Sequence, residues 1–147
     1  MSRVMALDVG TRTIGVAVSD PLGMIASPVE TISRTGRRAD AARVQELAAE
    51  REVVRVVVGL PMRTDGTEGE SAVEARRMAA AVAAVLPGVE VVLLDERFTT
   101  AEAERSLLTS NVRRKKRKQV IDQVAAVLIL QQWLDRPFGG EVVEAAP

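Results

Sequence analysis

Residues 4–19 constrain the fold more than any other stretch, because two short alternating runs meet at a turn and present faces of opposite character. Val4, Ala6 and Asp8 fall on one face of an extended segment and Met5, Leu7 and Val9 on the other, the two-residue period of a buried strand. Gly10, Thr11 and Arg12 read as a hairpin loop. Thr13 to Ser19 then return with Ile14, Val16 and Val18 on one side and Gly15, Ala17 and Ser19 on the other. One face is therefore bulky, and the other is made of small residues plus Asp8. The small face admits close approach of another element. Asp8 either begins the chemistry there or ends its strand by accepting hydrogen bonds from the turn.

The rest of the chain extends this hairpin. Met24 to Ile32 reads as a third strand, with Pro28 suited to a sheet edge. A basic loop, Arg34 to Arg38, leads into a helix over Ala39 to Glu52, with Ala42, Leu47 and Ala48 facing inward. Val53 to Val58 is a nearly continuous apolar run, the mark of a strand covered on both faces. Gly59 to Gly69 is a Gly-rich loop in which Thr67 and Glu70 have capping-box spacing, opening a helix over about Glu68 to Leu86 that ends at Pro87-Gly88. Val89 to Leu94 is another buried strand and runs into Asp95-Glu96. Thr99 and Glu102 offer a second capping box for a short helix ending near Ser110-Asn111, and a long helix follows from about Arg114 to Asp135. The order is that of an α/β fold in which later, parallel strands extend an antiparallel meander. One domain is expected over residues 1–137, with residues 138–147 as a flexible C-terminal tail.

A chain of 147 residues can bury a core without staples. No apolar run approaches the roughly 20 residues of a membrane span, and the chain enters a strand at once instead of a signal peptide. A soluble, cytoplasmic protein with no membrane partner is expected. With no His and no Cys, the usual zinc sites, thiol nucleophiles and His-dependent general-base chemistry are excluded. Any metal must sit on oxygen ligands, which favours Mg²⁺ or Mn²⁺.

Three carboxylates can meet on such a sheet. Glu96, like Asp8, sits at the C-terminal end of a strand, the edge where open α/β sheets bind ligands, although Asp95-Glu96 also reads as a solvated strand cap. Asp122 shares a helix face with Ala125, Ala126, Ile129 and Trp133, and a carboxylate on an apolar stripe needs a cation, a partner or a raised pKa. The bland alternative pairs it with Lys118, one turn earlier. Three oxygen donors suit two divalent ions about 4 Å apart in a phosphodiester hydrolase.

The charge balance is uneven: 20 basic residues offset 20 acidic ones, yet all three Lys lie in the run Arg113, Arg114, Lys115, Lys116, Arg117, Lys118. Six positive charges at a helix start oppose the helix dipole, so they are read as a hold on a phosphate backbone, or else as a solvated basic face.

MALDVGTRTIGVAVSD, GLPMRTDGTEGE, LLDERFTTAEAE and RRKKRKQVIDQVAAVLILQQWL, in that order and covering about Arg3 to Leu134, resemble the signature blocks of the YqgF/RuvX family of bacterial nucleases. The resemblance implies an RNase H-like fold, a five-stranded mixed sheet of order 3-2-1-4-5 flanked by helices, with the first three strands an antiparallel meander. It implies that Asp8, Glu96 and Asp122 are the catalytic and metal-holding residues, and that the substrate is branched DNA at a Holliday junction, the 5′ end of pre-16S rRNA, or both. Arg12, Arg63 and Arg97 join the basic run as candidate nucleic-acid contacts. The family usually has a basic pair where this chain has Arg12-Thr13, and Asn where it has Arg63. Two symmetric junction cuts would require a homodimer, whereas RNA trimming would not. Two rivals stand beside this reading: a nucleic-acid-binding module of the same fold without cleavage, and an ATP-binding domain of the actin/Hsp70 type, whose phosphate loop also has an Asp-x-Gly-Thr pattern.

Overall fold

The computed structural model describes residues 2–96, 114–137 and 140–144; within the second stretch, side chains are described from residue 123 onward. β1 (Arg3–Val9) and β2 (Thr13–Ser19) form the hairpin, pairing Asp8 with Gly15 and Ala6 with Ala17. β3 (Ala26–Ser33) adds antiparallel to β2 at the sheet edge, and its register slips at Val29, beside Pro28, which has no N–H to give to a ladder. β4 (Val53–Leu60) lies parallel to β1, and β5 (Glu90–Asp95) parallel to β4. Val56 and Val58 enter one core while Val57 enters the other, so this apolar run is covered on both faces as its composition requires.

The sheet has six strands, not five. The expected order β3-β2-β1-β4-β5 is present, and β6 (Glu141–Val143), from the stretch read as a loose tail, pairs antiparallel to the outer edge of β5. Three residues are too few to show a strand period, and two glycines precede them. What holds them is tertiary. Gly140 packs so tightly on Trp133 and Val92 that a Cβ there would meet them at 3.0 and 3.2 Å, and the Arg76 guanidinium bonds Glu141.

Helices cover both faces. α1 (Arg37–Glu50) and α2 (Glu70–Val85) pack with Met5, Leu7, Ile14, Val16, Val56 and Val58, and α3 (Arg114–Asp135) crosses the other face over Ala6, Ala17 and Val57. The small-residue face of the hairpin thus receives α3, with Ala17 and Ala126 both fully buried. Two helix readings need correction. α1 turns Asp40, Ala41, Val44, Leu47 and Ala48 inward and leaves Ala42 exposed, because Arg34 draws the Asp40 carboxylate into the interior. Thr67 does not cap α2: its hydroxyl donates to Asp65 at 2.7 Å, the loop closes through a Met62–Glu68 bridge, and Gly69 takes the cap position without a side-chain bond. The second capping box and its short helix lie outside the described residues. Among those described, no helix is long and apolar enough to cross a membrane.

Candidate active site

Because β4 is parallel to both β1 and β5 and lies between them, the two outer strands finish at the same edge of the sheet. Leu7 pairs with Val58, Gly59 with Leu94 and Leu60 with Asp95, so Asp8, in the last residues of β1, and Glu96, just past β5, lie on either side of Gly59. Strand alternation puts Asp8 on the face of Val4 and Ala6, and Glu96 on the face of Val92 and Leu94, which is the face covered by α3. The Glu96 N–H donates to the Leu60 carbonyl at 3.3 Å and carries the parallel ladder one step beyond β5.

Gly59 makes the room between them. A Cβ there would lie 2.5 Å from Glu96 Oε2 and 2.6 Å from Ile129 Cδ1, so any side chain at this position would have to displace the ends of both. Glu96 is half-buried with its Oε2 atom shielded from solvent. Burial, and then the negative charges of Asp8 and Asp95, push its carboxyl up to about 7. A carboxylate that burial and neighbouring negative charge make reluctant to ionise is one that a cation would relieve. The donors are hard oxygens, the type that suits Mg²⁺ or Mn²⁺, and among the described residues no group of three completes a metal-holding set.

The candidate residues divide accordingly. Asp8 and Glu96 come together; position 122 lies within α3, and helical spacing sets it in line with Ala126 and Ile129, which pack on this face, while its side chain lies outside the described residues. Arg12 is exposed in the β1–β2 turn and Arg63 is exposed in the Gly-rich loop. Arg97 and Arg113 lie outside the described residues, as do the side chains of Arg114, Lys115, Lys116, Arg117 and Lys118, whose backbone forms the first turns of α3.

One buried arrangement escaped the sequence reading. Arg34 donates to the Gly10 carbonyl at 2.9 Å, to Asp40 at 3.1 Å and to Glu74 at 2.8 Å, and its own N–H donates to the Arg12 carbonyl at 2.9 Å. The turn that follows Asp8 is thereby tied to both α1 and α2. Asp40 also accepts the Thr35 N–H at 3.1 Å. The available signal was an acid at position 40 in step with Val44 and Leu47.

A model of the RuvX family, described as Holliday junction resolvase, matches residues 2–136. The chain belongs to the RuvX family. A Myxococcus xanthus (strain DK1622) protein named as a candidate pre-16S rRNA nuclease is 52% identical over 133 residues, covering 90% of this chain and 87% of its own. A Listeria monocytogenes (strain EGD-e) protein of the same name is 52% identical over 135 residues, covering 90% of this chain and 97% of its own. Among solved structures, Thermus thermophilus RuvC in complex with a Holliday junction substrate superposes with a TM-score of 0.55 at 15% identity, over 97% of this chain and 100% of that one. That likeness places this RuvX chain in the RuvC, RNase H-like fold.

Proposed function

We propose that this chain is a metal-dependent endonuclease that hydrolyses phosphodiester bonds in structured nucleic acid in the cytoplasm. The observation that carries the reading is the convergence of Asp8 and Glu96 around Gly59 on the face covered by α3. In this account Asp122 joins them from α3, and the three carboxylates hold two Mg²⁺ or Mn²⁺ ions. Bound there, such ions supply charge neutralisation to the phosphodiester and lower the pKa of the attacking water. The residues themselves do the positioning. Asp8 and Glu96 fix the cation-binding oxygens on rigid strand ends, Gly59 keeps the space between them clear, and Arg34 holds the turn next to Asp8. Arg12, Arg63, Arg97 and the run Arg113 to Lys118 hold the backbone on either side of the scissile bond without reading sequence.

Pre-16S rRNA is the favoured substrate, on the names of relatives half identical to this chain over nearly their whole length. A four-way DNA junction is the second reading, favoured by the family description, and it adds a homodimer that would place two sites for paired cuts. The test is cleavage of three labelled substrates side by side with Mg²⁺ and with Mn²⁺: a ribosomal RNA precursor, a four-way junction and a linear duplex. Cuts in the RNA alone are expected. Symmetric cuts in the junction alone would install the second reading, and no cut in any of them would leave only a binding module.

A further inference from the structure

On the sheet face opposite Asp8 and Glu96, a cleft of about 820 Å³ opens between the β1–β2 turn, the Gly-rich loop and the outer side of α2. Its lining includes Gly10 and Thr11, which follow Asp8 by two and three residues, so the cleft and the carboxylates share one turn as a common rim. Both walls are fixed. Arg34 clamps Gly10 as described, and the loop bearing Arg63 is closed by Arg63 N–H to Thr67 carbonyl at 2.9 Å and Gly66 N–H to Arg63 carbonyl at 2.8 Å.

The charges of the lining are distributed unevenly between paired and unpaired groups. Glu74 accepts from Arg34 at 2.8 Å and from Arg37 at 3.2 Å, and Glu68 is held by Arg76 at 2.6 Å. Arg63 and Arg77 have no side-chain hydrogen bond or ion pair among the described residues, and Glu70 is the lining acid in the same position. The lining as a whole balances three arginines against three glutamates, and outside its ion pairs two arginines face one carboxylate. The Arg63 guanidinium lies flat over Gly69, where a Cβ would meet Nη2 at 3.2 Å and Nε at 3.3 Å, so it is seated in the cleft. Two arginines outside the cleft's ion pairs, in a wide open groove, suit a chain of phosphates better than an apolar small molecule.

We propose that this cleft is a second backbone-binding tract, in which Arg63 and Arg77 hold the phosphates of the substrate flank after the strand crosses the β1–β2 turn from the carboxylates. The proposal rests on the nuclease reading above. It adds Arg77 to the binding surface and makes affinity depend on flank length.

The test is a binding series in an Asp8→Asn background, where substrate is expected to survive, with labelled RNA and DNA probes of graded flank length titrated over a range of salt. Changing Arg63 and Arg77 together to Ala should weaken binding of the longest probes by about tenfold. The log K against log salt slope should fall by about 1.4 for single strands and 1.8 for duplex, two phosphate contacts' worth. The shortest probes should lose far less, and the Arg63→Lys, Arg77→Lys pair should restore the salt slope. A loss equal at every length, no loss at any length, or no binding of any probe would overturn the proposal. A preference of the long-flank effect for RNA over DNA, or the reverse, names the source of the flank. Cleavage by wild type that disappears in Asp8→Asn tests the nuclease reading separately, so each can fail without the other.

Discussion

Glu96 sits where a carboxylate is costly to ionise, and the sign of that cost is measurable. Its carboxyl is pushed up to about 7 by burial and by Asp8 and Asp95, against an ordinary value of 4.5. Between those values the folded chain holds a proton that the unfolded chain has lost. This part of the stability is therefore fully present below the unfolded pKa and is lost as pH rises through about 7, on the order of 3 kcal/mol in all. Glu96→Gln should abolish that decline, so that with chelator present the variant melts above wild type at about pH 8 and close to it at acid pH. Thermal melts across the pH range check this; a wild-type stability that does not fall between the two pKa values would contradict it. Gly59→Ala works the other way. Its Cβ would press on Glu96 Oε2 and Ile129 Cδ1, costing about 1–3 kcal/mol of stability and most of the cleavage, read by melts and by initial rates. Asp8 and Glu96 were legible in the sequence because strand alternation and strand ends mark them. Gly59 was not, since what requires it is the approach of a side chain from another strand and a helix 70 residues away in sequence.

Among the elements, α3 shows a competition between stability and binding. It begins at Arg114 inside the basic run, where positive charge opposes the dipole of the helix. Changing Lys115, Lys116 and Lys118 to Gln should stabilise the helix by a few tenths to about 1 kcal/mol per charge at low salt while weakening nucleic-acid binding and lowering its salt slope by about 2 to 3. Melting and binding titrations on the same variant should thus move in opposite directions; an unchanged salt slope would return the run to a solvated face. The bounds of α3 were readable because 22 residues give many turns of a 3.6-residue period. β6 was unreadable because three residues carry no period, and its place depends on Trp133, Val92 and Arg76. α1 was read with its face partly misassigned. Its alanines give little contrast between sides, and a buried Asp40 looks polar until Arg34 is seen beside it.

At the scale of the molecule, the α/β class and five strands of the sheet follow from residues 4–19, the Val53 to Val58 run and the alternation of helices with strands. Their order followed from resemblance to the family rather than from periodicity. The mixed sheet then explains the site: parallel β1, β4 and β5 bring two carboxylates to one edge, and the small-residue face of the hairpin lets α3 close over them. The sheet also separates two surfaces that share the β1–β2 turn, the carboxylate face and the cleft that holds Arg63 and Arg77. In the proposed mechanism Asp8, Glu96 and Asp122 form one hydrolytic site. The measurement that tests it most directly is cleavage and binding of the ribosomal RNA precursor by Asp8→Asn, Glu96→Gln and Asp122→Asn, each made singly. The expected result is a loss of cleavage of at least about 100-fold in every variant, with affinity for the RNA kept or improved. Cleavage surviving in any one of the three would remove that residue from the site, and survival in Asp8→Asn would contradict the account as a whole.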